Sequence, residues 1–372
     1  MNTNKILLIC AAAAVLSSCT TADERIPSLY ESYSNYFPIG VSVGRSELRS
    51  VTDTTFIIKH FNSLTPSEMM QPDKIHPRAD RWRWRLPDEL VDFAERNNKQ
   101  VRGYCLLQYD KMPDWMYFDG ERVTSRDSLY SRIKQHITTI MKRYQGKIKC
   151  WDVVSCAVAD DTSLILRQNT WMHQIAGDDY VEYAFRCAHE ADSTALLFYS
   201  DYNLNRPDKL ERTCKLIKSL KDKGVHIDGV GMHGHWSIYE PTVAQLDTAI
   251  SRFRALGLQV HITQLDVSFY KWERFRNRRL RPNETVIISD SIKTVQAQQY
   301  TNIFQTLRRN ADVVKSVTFW GIDDRHSWLN NYPVRGRRNY PLLFDSYRTP
   351  KQVFYQICED ALSNSNAEQT NN

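Results

Sequence analysis

The stretch from residue 227 to residue 265 indicates the fold. It begins with the short apolar segment IDGVGM (227–232), continues with an amphipathic run at 242–256, and ends with QVHITQL (259–265). Apolar residues in the middle run recur every three to four positions, as on one face of a helix, whereas the flanking segments have the length and composition of buried strands. A strand, a helix and a second strand in this order predict two parallel strands joined by a helical crossover.

The same alternation extends in both directions along the chain. Further strand candidates are residues 39–43, 60–64, 100–107, 149–154, 195–199 and 316–320, and further amphipathic runs are 86–98, 128–144, 178–189, 208–223 and 294–309. Strands and helices in this order predict an α/β fold, a parallel sheet closed into a single-domain (β/α)8 TIM barrel. A doubly wound open sheet is the alternative, but no GxGxxG or GxxxxGK[ST] motif follows the first strand.

Polar and aromatic residues concentrate after the predicted strands. Because catalytic and binding groups of a (β/α)8 barrel lie at the carboxyl ends of its strands, these segments predict a cleft. They are residues 65–71, 107–115, 155–161, 200–203, 233–236, 264–266 and 320–328.

Taken together, the strand-end segments resemble glycoside hydrolase family 10, the endo-1,4-β-xylanase family, over roughly residues 35–360. The segments that carry the resemblance are FNSLT (61–65), RG to PDW (102–115), WDVV (151–154), SDYN (200–203), IDGVGMHGH (227–235), VHITQLD (260–266), TFWG to SW (318–328), and PLLFD to PK (341–351). The resemblance implies the barrel fold, endo-xylanase chemistry, and xylan or a related plant-wall polysaccharide as the ligand.

Both positions at which the family has a catalytic glutamate hold another residue. By resemblance, Cys156 in WDVVSC stands at the acid/base position and Gln264 in TQLD at the nucleophile position. A retaining glycosidase uses one carboxyl group to protonate the leaving group and a second to attack the anomeric carbon. A neutral amide cannot form the glycosyl ester, and a thiol with an ordinary pKa of about 8.5 is a poor acid for a glycosidic oxygen. We therefore expect no intact catalytic pair.

Other positions that the resemblance places beside the sugar are also changed. Ser155 replaces an asparagine, Tyr104 and Tyr109 replace histidines, Gln108 replaces a tryptophan, and His233 replaces a glutamine. The residues predicted to bind the ligand, retained or replaced, are Asn203, His233, His235, Trp320, Trp328, Ser155, Gln108 and Tyr109.

Three functions are compatible with these residues. The first is a non-hydrolysing protein that binds a glycan or a partner in its cleft through stacking on Trp115, Trp236, Trp320 and Trp328, each of which could instead pack in the core. The second is a hydrolase with relocated catalytic groups, drawn from Glu68, Asp160, Asp161, Asp323 and Asp324, with a possible thiol role for Cys156. The third is a structural or interaction lipoprotein whose cleft binds nothing.

The N-terminus resembles the targeting segment of a bacterial lipoprotein. Lys5 precedes an apolar run at 6–16, and the following LSSC resembles a lipobox in which Cys19 becomes the acylated first residue. This predicts a signal peptide at 1–18, a polar tether at 19–34, the barrel at 35–362 and a disordered tail at 363–372. Lipid chains would be the protein's contact with a membrane of the bacterial cell envelope, facing the periplasm or the cell surface. An ordinary signal peptide that contains a cysteine is the alternative.

Composition and spacing argue against several other ligands. The net charge of +6 is spread along the chain apart from short arginine clusters at 278–281 and 335–338, which does not indicate a nucleic-acid surface. His233 and His235 lack a third ligand at a metal-binding spacing, so we expect no metal and no other cofactor. The cysteines after Cys19 form neither a dense disulfide pattern nor a CxxC motif and are expected to be buried thiols. No pattern predicts an oligomeric state.

Overall fold

Eight parallel strands close into a barrel in the computed structural model, which describes residues 26–273, 277–281 and 288–369. Their bounds are β1 Ile39–Val43, β2 Ser63–Pro66, β3 Gln100–Gly103, β4 Cys150–Ser155, β5 Leu196–Tyr202, β6 Gly229–Ser237, β7 Gln259–Ser268 and β8 Val314–Phe319. Successive strands pair in order, and β8 pairs with β1 to complete the circle. The prediction of a single-domain (β/α)8 TIM barrel is confirmed.

Helices occupy the connections between the strands. Their bounds are α1 Leu29–Ser32, α2 Arg45–Arg49, α3 Val51–His60, α4 Pro72–Ile75, α5 Arg85–Arg96, α6 Arg126–Arg143, α7 Trp171–Ala176, α8 Tyr180–Ala191, α9 Pro207–Asp222, α10 Val243–Ala255, α11 Asp290–Arg309 and α12 Gln352–Gln369. Several begin at a serine or threonine that accepts a hydrogen bond from the first turn, as Ser125 does for α6 and Thr242 for α10. No helix in the described ranges has the length and apolar character needed to cross a bilayer.

The segment predicted as one strand at 100–107 is divided. β3 ends at Gly103, and the pair Leu107–Gln108 joins the end of β4 separately. A side chain at Gly103 would bring its Cβ within 2.1 Å of the Trp151 ring, so only glycine lets the two strands approach this closely. Tyr104 therefore starts a loop at the barrel mouth instead of continuing the strand.

A buried ion pair fills the barrel below the strand ends. Arg102 of β3 donates hydrogen bonds of 2.8 and 2.6 Å to the two carboxylate oxygens of Asp152 of β4. Nη1 of Arg102 also lies 2.6 Å from Nδ1 of His261 in β7. Burial and the neighbouring Arg102 charge hold the pKa of His261 well below its ordinary value, so its ring is neutral and accepts this bond. The contacts join three strands into a fixed floor beneath the mouth.

The barrel begins earlier in the chain than predicted. Helix α1 lies inside the segment predicted as a polar tether at 19–34, and Leu29 and Tyr33 are fully buried. The Tyr33 hydroxyl donates to the carbonyl of Ile357 in α12 at 2.8 Å. Leu29 and Tyr33 bury enough apolar surface to pack this segment against the barrel, although most of its other residues are polar. The average composition of the segment does not reveal this burial. Residues 1–25, including the predicted signal peptide and Cys19, lie outside the described residues.

The end of the chain also differs from prediction. Helix α12 continues through residues 363–369, where the sequence predicts a disordered tail at 363–372. Lengthening a helix that already exists costs far less than starting one, so a polar continuation can remain helical. Residues 370–372 lie outside the described residues.

Candidate functional site

Cys156 and Gln264, predicted by resemblance to stand at the two glutamate positions of the family, share an unusual backbone conformation. Cys156 follows β4 with a φ of 61°, and Gln264 lies inside β7 with a φ of 59°. The pairing of β7 with β6 shifts register between Thr263 and Asp266, so Gln264 occupies an irregularity in the strand. Left-handed conformations at residues other than glycine cost about 1–3 kcal/mol and persist where the surrounding structure enforces them. The barrel therefore still holds both positions in a strained, fixed geometry.

A hydrogen-bonded chain fixes Gln264. Nε2 of His235 lies 2.9 Å from Oε1 of Gln264, and Nδ1 of the same ring lies 2.7 Å from Oδ2 of Asp266. The indole N–H of Trp328 donates to the same Asp266 oxygen at 2.9 Å. A carboxamide offers both a donor and an acceptor, so it can satisfy His235 in either tautomer. Gln264 thus completes the network without contributing a charge.

Cys156 is held as a neutral thiol. Its side chain is 5% exposed, its backbone N–H donates to the carbonyl of Ser200 at 2.8 Å, and its Sγ lies 3.4 Å from Oγ of Ser155. Burial, followed by the nearby Asp201 carboxylate, raises the pKa of the Cys156 thiol far above its ordinary value. Nucleophilic attack requires a thiolate and acid catalysis requires a pKa near the working pH, so the thiol suits neither role at neutral pH.

The structure brings most of the predicted binding residues together. The His235 ring lies 4.6 Å from the Trp328 ring, 6.3 Å from the Trp320 ring and 6.5 Å from the His233 ring. Ser155 and His233 are buried, at 1% and 5% exposed. Burial and the charges of neighbouring groups, His235 first, hold the pKa of His233 well below its ordinary value, so its ring is neutral.

The remaining predicted binding residues lie around this group. Gln108 donates to Asp110 at 2.9 Å, and the Tyr109 ring lies 4.8 Å below the Arg167 guanidinium. Asn203 adopts a left-handed backbone with a φ of 58° after β5. In the described part of the chain, no hydrogen bond joins the Asn203 side chain to His235 or Gln264.

The four tryptophans considered as stacking platforms differ in accessibility. Trp236 is 5% exposed, and Trp115 packs on His76 while its indole donates to the His76 carbonyl at 2.9 Å. Both are therefore part of the packing. Trp320 and Trp328 remain partly exposed at the barrel mouth.

Sequence reasoning missed a further aromatic residue beside them. The Trp272 ring lies 6.5 Å from the Trp328 ring and 6.1 Å from the Tyr332 ring, and Trp272 is 39% exposed. Tyr332 stacks on one face of Trp328 at 5.0 Å. Trp272, Trp328 and Tyr332 form an aromatic wall beside His235. The sequence offered one indication of Trp272 as a site residue, its position only a few residues after a predicted strand end.

Tyr104, which the sequence resemblance marks only as standing where the family has a histidine, lies beside His233 and Trp320. Its ring meets the Trp320 ring at 5.7 Å and the His233 ring at 6.1 Å, both edge to face. Its hydroxyl donates to Oε1 of Gln108 at 3.1 Å. Burial raises the pKa of Tyr104 well above its ordinary value, Cys105 and Cys156 raise it further, and a contact with Gln264 lowers it. The phenol is therefore buried among His233, Trp320 and Gln108 at the barrel mouth.

The carboxylates after β4 are engaged in local contacts. Asp160 accepts a hydrogen bond of 2.8 Å from the Tyr202 hydroxyl and pairs with Arg167 at 3.1 Å. Burial alone would raise the pKa of Asp160, but Tyr202, Lys209 and Arg167 lower it overall. Hydrogen bonds from Ser163 lower the pKa of the neighbouring Asp161. Neither residue suits the role of a general acid at neutral pH.

The carboxylates after β8 are tied into the fold, and Glu68 lies exposed on the loop after β2. Asp323 is fully buried, with His326 Nδ1 at 2.7 Å. Asp324 pairs with Lys351 at 2.7 Å and accepts from the backbone of Leu342. Burial, opposed by Lys351, raises the pKa of Asp324 to about 6. These contacts give the pair a role in anchoring the last loop of the barrel.

Two large cavities lie among the described residues, and neither is formed around Cys156 or Gln264. A cavity of about 1060 Å³ is lined by residues of α11, α12 and the loops before them, and one of about 410 Å³ lies beside Glu68 and Trp82. Cys156, Gln264 and Tyr104 line neither. Within residues 26–273, 277–281 and 288–369, no three histidine, cysteine or carboxylate side chains gather as they would around a metal ion. The six cysteines in these ranges are free thiols, five of them buried.

Comparison with known proteins gives consistent matches along most of the chain. A model of glycosyl hydrolase family 10 matches residues 28–360. The chain is similar to the endo-1,4-β-xylanase B of Paenibacillus barcinonensis, with 41% identity over 333 residues that cover 89% of this chain and 98% of that protein. It is similar to a β-1,4-xylanase of Dictyoglomus thermophilum, with 42% identity over 332 residues that cover 89% and 90%. A crystal structure of a Paenibacillus barcinonensis xylanase complexed with a conduramine derivative matches with a TM-score of 0.85 and 40% identity, covering 90% of this chain and 98% of that one.

Proposed function

The chain belongs to glycosyl hydrolase family 10, and we propose that it is a non-hydrolysing member that binds xylan or a related plant-wall glycan. One observation carries this proposal. The two positions that face the scissile bond in the family hold a buried neutral thiol, Cys156, and a hydrogen-bonded amide, Gln264.

The chemistry of glycoside hydrolysis explains why these substitutions matter. Removing a general acid costs on the order of 10²–10⁴ in rate. Removing the nucleophilic carboxylate abolishes the covalent glycosyl intermediate on which the retaining mechanism depends. Four of the carboxylates considered as substitutes, Asp160, Asp161, Asp323 and Asp324, are engaged by neighbouring groups. The fifth, Glu68, lies exposed beside a cavity that neither Cys156 nor Gln264 lines. Relocated catalysis at these residues is therefore the weaker alternative.

The remaining features of the mouth favour retained binding. The aromatic wall formed by Trp272, Trp328 and Tyr332 presents an exposed ring of the kind that packs against the apolar face of a sugar. Asn203, half-buried after β5, supplies a polar side chain close to the rim. Relatives at about 40% identity are named as endo-1,4-β-xylanases, which supports xylan as the ligand class.

We also propose that the protein is a lipid-anchored component of a bacterial cell envelope. Support comes from the apolar run at 6–16 and the LSSC sequence that ends at Cys19. Growth of the producing cell with a labelled fatty acid tests this. The label is expected on the wild-type protein and not on Cys19→Ala, whereas an unlabelled wild-type protein would remove the anchor from the account.

Isothermal titration calorimetry with xylo-oligosaccharides tests the proposed binding. We expect saturable heat with a plant-wall oligosaccharide, together with no new reducing ends after prolonged incubation of the same mixture. Absence of heat across xylo-, arabinoxylo- and mixed-linkage gluco-oligosaccharides would exclude glycan binding and favour a structural or interaction role.

A further inference from the structure

The Tyr104 side chain crosses the barrel mouth. Tyr104 follows β3, whose sheet neighbours are β2 and β4. Its ring contacts are with His233 of β6 and with Trp320, which follows β8. Both strands lie on the opposite side of the closed sheet from β3. A side chain that reaches from β3 to both must lie over the barrel axis.

Several contacts fix the Tyr104 ring there. Tyr104 is 4% exposed and lies edge to face with two aromatic rings. Edge-to-face pairs of this kind are stabilised by about 0.5–1.5 kcal/mol beyond their burial. The hydroxyl is directed to Gln108, whose other amide atom donates to Asp110 at 2.9 Å. The ring is thus held on both sides and at its tip.

The groups under Tyr104 are shielded from solvent. Cys156 and Gln264 are each 5% exposed, and Cys105, the residue after Tyr104, is 1% exposed. A retaining glycosidase needs a sugar ring between its two carboxyl groups, which are about 5–5.5 Å apart. In this chain the Tyr104 hydroxyl is held by Gln108, which pairs with Ser155, the residue before Cys156. The Tyr104 ring meets Trp320, whose ring lies 6.3 Å from His235, the hydrogen-bond partner of Gln264.

We propose that Tyr104 closes the reaction-centre part of the cleft, so that the protein takes a glycan chain end or a short oligosaccharide against the aromatic wall and excludes a long chain running through. The inference rests on the proposed function for its ligand. The closure of the cleft by Tyr104 does not depend on which ligand the protein binds. A histidine, which the family resemblance implies at this position, carries a smaller ring without the phenol's length and would leave this space open.

Alkylation of Cys156 by N-ethylmaleimide, followed by peptide mass spectrometry, measures the closure without any ligand. We expect Cys156 to be protected in the folded wild-type protein and to react at least about tenfold faster in Tyr104→Ala. Tyr104→Phe keeps the ring and is the matched control, with protection expected to remain. Cys187 and Cys358 are buried elsewhere, so their continued protection in the same sample shows that the variant is folded.

The labelling result is decisive in either direction. Rapid labelling of wild-type Cys156 overturns the closure, as does unchanged labelling in Tyr104→Ala with Cys187 and Cys358 protected. If Tyr104→Ala exposes all cysteines, the experiment uses Tyr104→His instead. A folded Tyr104→His variant in which Cys156 is labelled no faster than in wild type also overturns the closure.

Calorimetry then tests the consequence for the ligand. Wild type is expected to bind xylotriose and xylohexaose with similar affinity, whereas Tyr104→Ala is expected to gain about tenfold for xylohexaose alone. A wild-type protein that already prefers xylohexaose by this factor contradicts the chain-end assignment. If wild type binds neither sugar, the proposed function fails, while the alkylation result still decides whether Tyr104 closes the mouth.

Discussion

Nε2 of His235 lies 2.9 Å from Oε1 of Gln264. The other ring nitrogen contacts Asp266 at 2.7 Å, so the imidazole bridges an amide and a carboxylate. In an active retaining enzyme the nucleophile must be charged, and Gln264 is a neutral group that still fits the same hydrogen-bonded frame. The neutral amide therefore leaves the local hydrogen-bonded order intact.

Replacing Gln264 with an apolar side chain should destabilise the protein. Gln264→Leu leaves Nε2 of His235 without its partner in a largely buried site, at a cost of about 1–3 kcal/mol in the free energy of unfolding. Gln264→Glu keeps an oxygen acceptor and should cost less. Urea unfolding at neutral pH measures both, and an equal or smaller cost for the leucine variant would show that the bond contributes little.

Restoring the two carboxylates alone should not restore hydrolysis. Cys156→Glu with Gln264→Glu supplies the chemical groups, but Tyr104 still occupies the space that a sugar ring needs between them. Adding Tyr104→His is expected to raise xylan hydrolysis by on the order of 10²–10⁴ over the double variant. Tyr104→His by itself is the control and should stay inert. Full activity in the double variant would show that Tyr104 does not obstruct the site.

Truncating the exposed member of the aromatic wall should weaken glycan binding. Trp272→Ala removes a ring that is 39% exposed and is expected to reduce affinity for xylo-oligosaccharides by about tenfold. Tyr347 is 90% exposed on the loop before α12, and Tyr347→Ala serves as the matched surface control. Calorimetry compares the affinities of the two variants for xylo-oligosaccharides. Equal affinities would show that the aromatic wall is not part of the binding site.

A buried histidine pair should make the protein sensitive to acid. Nδ1 of His76 lies 3.1 Å from Nδ1 of His136, and burial lowers the pKa of His76 to about 4 and that of His136 to about 3. The folded protein therefore binds fewer protons than the unfolded chain below pH 6.5, and stability falls as the pH falls toward 4. Both histidines add to this loss, because each neutral ring can take up a proton in acid once the chain unfolds.

Substitution of one histidine isolates this effect. His136→Gln can still donate to the carbonyl of Leu106 and accept from His76, but it does not titrate. Urea unfolding between pH 7 and pH 4 should give a shallower decline for the variant than for wild type. Parallel declines would assign the acid sensitivity to other groups.

The strand pattern was predictable because buried parallel strands and their crossover helices leave strong local periodicities. The prediction of a strand at 259–265 matches β7, Gln259–Ser268. The assignment of Cys156 and Gln264 to the two glutamate positions of the family rests on their flanking motifs and stays a prediction. Helix α3 was missed because its sequence, VTDTTFII, is rich in β-branched residues, which have a weak helix propensity. The burial of Ile57 and the N-cap hydrogen bond to Ser50 stabilise the helix nevertheless.

The role of Tyr104 could not be predicted from local sequence. Its position depends on closure of the barrel, which brings β6, β7 and β8 opposite β3, and on the end of β3 at Gly103. The exposure of Trp272, in the loop after β7, and the burial of Trp236, within β6, likewise depend on contacts between segments that are distant in the sequence. Side-chain direction across a closed barrel is a long-range property that no periodicity records.

The central claim, that the protein does not hydrolyse the glycan it binds, is tested most directly by measuring reducing-sugar release from xylan. Wild type, incubated at high concentration, is expected to give no more product than Gln264→Leu or a heat-denatured sample. Release by wild type that is lost in Gln264→Leu, with that variant still folded, would contradict the account and place catalysis at the very position that holds an amide.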